Sequence, residues 1–163
     1  MKCLRYAAAT LEDTRALADL LAPLLWRGDV LLLDGPLGSG KTAFVQALAS
    51  ALRYRGPVTS PTFTIANFYE SDSLTLLHID AYRLDSIAEF RDLGLTDYGG
   101  DCCTVSEWGE KVAEEFNTYL EVQVTFGDDS EEAREFVLSG AGPRWAPVLQ
   151  AMRRGHLRLG AEP

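Results

Sequence analysis

The 163-residue chain is poor in cysteine, with only Cys3, Cys102 and Cys103. An odd number with two neighbours adjacent matches neither a disulfide framework nor a zinc-ligand spacing, so buried or idle thiols with no disulfide partner are expected. No apolar run approaches the ~20 residues needed to cross a bilayer. The N-terminus, Met1-Lys-Cys-Leu-Arg-Tyr6, passes quickly into an acidic helix-like segment and lacks the charged-then-apolar layout of a leader peptide. No membrane partner and a cytoplasmic location are the expectation. Basic residues are scarce too: 15 Lys and Arg stand against 24 Asp and Glu, a net charge of −9. That argues against tight, unaided binding to nucleic acid, which needs clustered cations. Arg144, Arg153, Arg154 and Arg158 gather late and read as a solvated terminal helix or at most a small local patch. Repeats, low-complexity stretches and long linkers are missing as well. With 47% hydrophobic residues, residues 1–163 read as one domain with a real core.

What is present is concentrated in Gly35-Pro-Leu-Gly-Ser-Gly-Lys41-Thr42. This segment fits the phosphate-loop pattern G-x-x-x-x-G-K-[ST] at every fixed position. The apolar run Val30–Leu33 before it suits a buried strand, and Ala43–Leu52 after it is apolar at helical spacing. Strand, glycine loop and helix are the context the motif requires. Glycines let successive backbone N–H groups turn inward around phosphate, and the helix N-terminus adds partial positive charge. Lys41 supplies a cation for the β- and γ-phosphates, and the Thr42 hydroxyl is placed to ligate Mg²⁺.

The rest of the chain alternates helix and strand signals. Thr10 can cap a helix with Glu12 and Asp13 in its first turn. Val58–Tyr69 begins as a Ser-Pro-Thr loop and ends as a strand. Leu74–Asp80 is a second strand, pairing with it as a hairpin across Glu70-Ser-Asp-Ser73. Ala81–Arg91 looks helical, and Leu93–Gly100 a loop or short helix. Cys102–Trp108 is a third buried-type strand, followed by a short helix over Glu110–Phe116. Leu120–Phe126 alternates cleanly, with Glu135–Leu138 as its hairpin partner and a final amphipathic helix over Gly142–Arg154. The sum is an α/β fold, a three-layer α/β/α sandwich of the P-loop NTPase kind, whose sheet has a parallel core and added antiparallel strands. The phosphate loop should lie at the carboxyl ends of the parallel strands.

A phosphate loop alone only holds nucleotide. Hydrolysis or transfer also needs a second Mg²⁺ anchor and a group that places the nucleophile. Asp80 and Glu107 end apolar strands, and both face the Mg²⁺ site if those strands neighbour the Val30 strand. Asp80 could instead cap a following helix, and Glu107 could be an exposed strand end. The loop Thr59-Ser60-Pro61-Thr62 can act as a switch reaching the γ-phosphate or metal, or simply lead into its strand. Trp108 either packs over the nucleotide pocket or belongs to the core. His78, in an apolar strand, reads as a structural histidine. A small-molecule or nucleoside kinase shares the loop and size, but Arg83 and Arg91 make no dense arginine lid. A regulatory GTPase would need a guanine-reading Asn-Lys-x-Asp segment, and none is present.

The motifs Gly35–Thr42, Val58-Thr-Ser-Pro-Thr-Phe63, Leu77-His-Ile-Asp-Ala-Tyr-Arg-Leu84 and Val105-Ser-Glu-Trp108 occur in the order of one family. The stretch Thr10–Glu110 resembles the bacterial TsaE (YjeE) family, small ATPases of threonylcarbamoyladenosine modification of tRNA. Glu89-Phe-Arg-Asp-Leu-Gly-Leu95 also resembles the segment after that family's third motif. The resemblance implies ATP and Mg²⁺ as cofactors. It implies nucleotide contacts from Gly35, Pro36, Leu37, Gly38, Ser39, Gly40, Lys41, Thr42 and Ala43, with Thr10 on the adenine side and Trp108 and Arg134 near the nucleotide. Thr42 and Glu107 look like the Mg²⁺-linked residues, Asp80 like the essential acid, also turned to the metal, and Thr62 like the switch residue. The implied partners are TsaD and TsaB, which make the modified nucleoside from threonylcarbamoyl-adenylate and tRNA. This ATPase would reset that pair between cycles and meet tRNA only indirectly. The family usually has a second threonine where this chain has Ala43, and commonly an acid where it has Pro36.

Overall fold

A computed structural model describes residues 3–61 and 63–158. Seven strands form one mixed sheet: β1 (Cys3–Ala8), β2 (Val30–Asp34), β3 (Ala66–Tyr69), β4 (Leu76–Asp80), β5 (Cys103–Glu107), β6 (Tyr119–Phe126) and β7 (Arg134–Ala141). The helices are α1 (Leu11–Leu21), α2 (Lys41–Ala51), α3 (Ile87–Asp92) and α4 (Trp145–Arg158). The strand order is β1-β7-β6-β2-β5-β4-β3. The centre, β6-β2-β5-β4, is parallel, while β7, β1 and β3 add on antiparallel. The sheet is therefore the parallel core with antiparallel additions that the sequence implies, and β3 and β4 form the expected hairpin.

β2, β4 and β5 are buried at every position, which is why they read as continuous apolar runs. Their side chains still alternate between faces. Leu31, Leu33, Leu76, Cys103 and Val105 face the larger core with Leu17 and Leu21 of α1, Phe44 and Leu48 of α2, and Trp145 and Leu149 of α4. Val30, Leu32, Leu77 and Ile79 face a smaller core with Phe90 of α3 and Val112. The two helical layers are thus unequal. Truncating a fully buried leucine such as Leu48 would cost about 2–5 kcal/mol.

Four expectations need correction. The N-terminus contains β1, whose alternating burial rests on three inward residues, Leu4, Tyr6 and Ala8, and so gives a weak signal. The segment expected to be helical from Ala81 starts only at Ile87, where the Ser86 side chain accepts from the Glu89 N–H and caps the helix. Glu110–Phe116 is two 3₁₀ turns, Gly109–Lys111 and Ala113–Glu115, separated by Val112. The last helix starts at Trp145 and runs to Arg158, past the expected end.

Candidate nucleotide site

The site is built at the carboxyl ends of β2, β5 and β4. β2 ends at Asp34, the loop follows, and Lys41 opens α2. Gly40 is the N-cap with φ 106°, a left-handed conformation that costs glycine little and other residues more. Gly35 has φ 148°, and a methyl group there would overlap the Val124 carbonyl of β6. The glycine spacing of the motif therefore answers to backbone geometry and to close packing against the sheet.

Lys41 is almost fully buried. Its ammonium donates to the Gly35 carbonyl at 2.7 Å and the Pro36 carbonyl at 3.2 Å, and lies 4.2 Å from the centre of the Trp108 ring. Burial lowers its pKa from 10.5, opposed by the charges of Glu107, Asp34 and Asp80. The lysine is thus a cation in an apolar setting with three acids nearby, poorly solvated and able to take phosphate oxygens as ligands.

Period-two alternation turns His78 and Asp80 to the same face of β4, the face covered by α2. Parallel register sets Asp80 beside Glu107 of β5, and Leu33 of β2 beside Glu107 on its other side. Glu107 is buried, with both carboxylate oxygens engaged. Oε1 accepts from the Thr42 hydroxyl at 2.6 Å, and Oε2 lies 3.0 Å from His78 Nε2. Asp80 Oδ1 accepts from the Tyr82 N–H at 2.9 Å, and Oδ2 from the Ser60 hydroxyl at 3.1 Å. Asp80 does not cap a helix, since the Ala81–Asp85 segment after it is a turn.

Trp108 follows with φ 57°, an uncommon value for a bulky side chain. It turns the chain away from β5 and lays the indole 5.2 Å from the Tyr82 ring. Leu37, Gly38, Gly40, Lys41, Thr42, Ala43, Ser60, Asp80, Tyr82, Glu107 and Trp108 line one cleft of about 360 Å³. A second pocket of about 170 Å³ adjoins it at Gly40 and Ala43, lined by Leu11, Thr14, Glu132, Arg134 and Phe136. Together they have the size of a small-ligand site with a polar end and a more apolar end.

The structure brings most of the candidate residues together. Arg134 stacks over Phe126 and donates to the Ser39 carbonyl of the loop at 2.7 Å. Thr10 is the N-cap of α1, while Leu11 and Thr14 line the second pocket. Thr62 lies outside the described residues. Sequence reading missed the contacts of His78 and Ser60 with the two acids. The alternation His78-x-Asp80 was the available signal, because residues two apart on a strand share a face. It also missed Asp34, which points to the opposite face and accepts from the Glu110 N–H at 3.0 Å.

The family model for the threonylcarbamoyl adenosine biosynthesis protein TsaE matches residues 8–136. This chain belongs to the TsaE family. The TsaE protein of Streptomyces coelicolor is 42% identical over 81% of this chain and 93% of its own length. That of Bacillus subtilis is 35% identical over 94% of this chain and 96% of its own. The crystal structure of Bacillus subtilis YdiB superposes with a TM-score of 0.77, at 29% identity, over 94% of this chain and 96% of that one. The TsaE match covers every residue that lines the two pockets. No helix among the described residues is long and apolar enough to cross a membrane. Nor do they contain a group of three or more His, Cys, Asp or Glu able to hold a metal. The Thr42 hydroxyl and the Glu107 carboxylate are hard oxygen donors of the kind that suits Mg²⁺.

Proposed function

We propose that this protein is an ATPase of threonylcarbamoyladenosine modification of tRNA, working as one domain and acting on a TsaD–TsaB pair. The observation that carries the reading is the Thr42–Glu107 hydrogen bond. It ties the hydroxyl beside the phosphate-loop lysine to a carboxylate on the neighbouring strand, inside a region matched by the TsaE family.

The N–H groups at the start of α2 receive the β-phosphate, and Lys41 exchanges its carbonyl partners for β- and γ-phosphate oxygens. Arg134 and the Leu11–Thr14 face of α1 border the base. Thr42 and Glu107 would hold Mg²⁺, which when bound neutralises charge on the phosphate oxygens. Asp80 orients the attacking water in line with the γ-phosphorus. Its bonds to Ser60 Oγ and the Tyr82 N–H fix the carboxylate for that task. Thr62, which ends the Thr59-Ser60-Pro61-Thr62 segment of the sequence, is the proposed switch. The Trp108–Tyr82 pair borders the cleft and keeps water from Lys41. The negative net charge suits an accessory subunit whose partners supply the RNA contacts.

The test is ATP hydrolysis measured alone and with the TsaD–TsaB pair, with GTP as competitor. Slow turnover that the pair stimulates and ATP competes for in preference to GTP is expected. No binding of ATP under either condition, or a phosphorylated small-molecule product, would overturn the reading.

A further inference from the structure

Three polar side chains join beneath the cleft. His78 is completely buried in β4. Its Nε2 lies 3.0 Å from Glu107 Oε2 and its Nδ1 2.9 Å from the Tyr69 hydroxyl. Tyr69 is itself buried, with its hydroxyl also 3.2 Å from the Thr59 carbonyl. A histidine that merely fills a core has no need of a carboxylate. Here both ring nitrogens are spent between Glu107 and Tyr69.

The Glu107 contact fixes one hydrogen. An ionised carboxylate only accepts, so Nε2 carries the proton. Nδ1 meets the Tyr69 hydroxyl, either accepting its hydrogen or donating to its oxygen while that hydrogen goes to the Thr59 carbonyl. Tyr69 holds the ring in place, and the Nε2–H holds Glu107. With Oε2 held, the carboxylate plane is fixed and Oε1 stays on the Thr42 hydroxyl. Without it the carboxylate can rotate away from Thr42. Carboxylates near metal sites are commonly oriented by such outer partners.

We propose that His78, supported by Tyr69, is a positioning residue that sets the Glu107 carboxylate for Mg²⁺-dependent chemistry at Thr42. The proposal rests on the reading of Thr42 and Glu107 as the Mg²⁺-linked pair. Tyr69 also links this chain to the loop. Its single hydroxyl hydrogen has two acceptors in reach, His78 Nδ1 and the Thr59 carbonyl, so a movement of Thr59 is felt at Glu107.

Two kinds of measurement test it. The first uses the protein without nucleotide. The chain has only two histidines, so long-range ¹H–¹⁵N spectra resolve His78 once His156 is assigned with His156→Gln. A proton on Nε2 is expected, and a proton on Nδ1 alone would overturn the proposal. The second compares Tyr69→Phe, His78→Leu and His78→Gln in Mg²⁺ titrations of ATP hydrolysis and in binding of a fluorescent ATP analogue without Mg²⁺. Tyr69→Phe and His78→Leu should raise the Mg²⁺ half-saturation by about 10-fold or more, with Mg²⁺-free nucleotide affinity within about twofold. His78→Gln, whose amide can still donate to Glu107, should recover much of the loss. Tyr69→Phe keeps its ring packing and serves as the test if His78→Leu fails to fold. An unchanged Mg²⁺ half-saturation in a folded variant, or a His78→Gln no better than His78→Leu, would overturn it. Lys41→Ala run alongside separates the two claims. Lost nucleotide binding there with unchanged Mg²⁺ titrations elsewhere overturns the positioning role alone. Retained binding there overturns the site itself.

Discussion

The Thr42 hydroxyl donates to Glu107 Oε1 at 2.6 Å, joining the first turn of α2 to the last residue of β5 across 65 positions of sequence. The bond exists because parallel pairing sets Glu107 beside Leu33, the penultimate residue of the strand that feeds the loop. Glu107→Gln should lower the turnover number by about 10²–10³-fold, the usual loss for a preorganised electrostatic group. Its Mg²⁺-free nucleotide affinity should stay within about threefold. Glu107→Ala should in addition lower stability by roughly 1–3 kcal/mol, because His78 and Thr42 lose their buried partner. Turnover and thermal melting of both variants separate the two effects. Equal stability with equal turnover in both would make Glu107 a bystander.

Lys41→Ala should weaken nucleotide binding by roughly 30–1000-fold, or 2–4 kcal/mol, since it removes the one positioned ammonium of a loop that must hold several negative charges. Isothermal titration with ATP and Mg²⁺ measures this directly. An affinity like that of the parent would sink the phosphate-loop assignment.

The sheet's chemistry was more legible than its geometry. Asp80 and Glu107 stood out because an acid ending an apolar run is costly unless it has work or a partner. Their adjacency was not legible, because nothing local states that β4 lies next to β5 and β5 next to β2. His78 was hidden for the same reason: an isolated histidine in an apolar strand looks like a core residue until the register supplies Tyr69 and Glu107. β1 was missed because its inward residues, Leu4, Tyr6 and Ala8, alternate over too few positions to compete with the helix signal that follows. The start of α3 was misplaced because the Asp80–Tyr82 bond turns the chain before Ser86 can cap it.

Asp34 provides a test of electrostatics on the other face of the sheet from Asp80. Burial pushes its pKa above 3.8, with Glu110 and Glu121 adding to the rise and the Glu110 N–H and Lys41 opposing it. The folded protein therefore holds this proton more tightly than the unfolded chain. The ionised carboxylate costs stability at neutral pH, and the cost vanishes once pH falls below about 3.8, where both states are protonated. Asp34→Asn keeps an oxygen for the Glu110 N–H and removes the charge. It should raise the melting temperature at pH 7 by about 2 °C, or about 0.5–1 kcal/mol. The gain should shrink as pH falls through the folded-state pKa. A loss of stability at neutral pH would mean that the attraction between Asp34 and Lys41 outweighs burial.

Trp108 should report nucleotide binding. Its indole lies over the Lys41 ammonium at 4.2 Å and against the Tyr82 ring, and Tyr82 in turn is held by Lys111, whose ammonium donates to the Tyr82 carbonyl at 2.6 Å. When Lys41 turns to phosphate, a cation leaves the face of the ring, and the fluorescence should change. The other two tryptophans sit at the opposite ends of the strands. Trp26 is exposed beneath Arg144, and Trp145 is buried on the same arginine's other side. Trp145 Nε1 has no hydrogen-bond partner among the described residues, so Trp145→Phe loses packing but no bond, at a cost of about 1–2 kcal/mol. In a Trp26→Phe/Trp145→Phe background, ATP with Mg²⁺ should shift the emission of Trp108, and adding Lys41→Ala should abolish the shift. A background variant that binds ATP with unchanged emission would separate the indole from the lysine's movement.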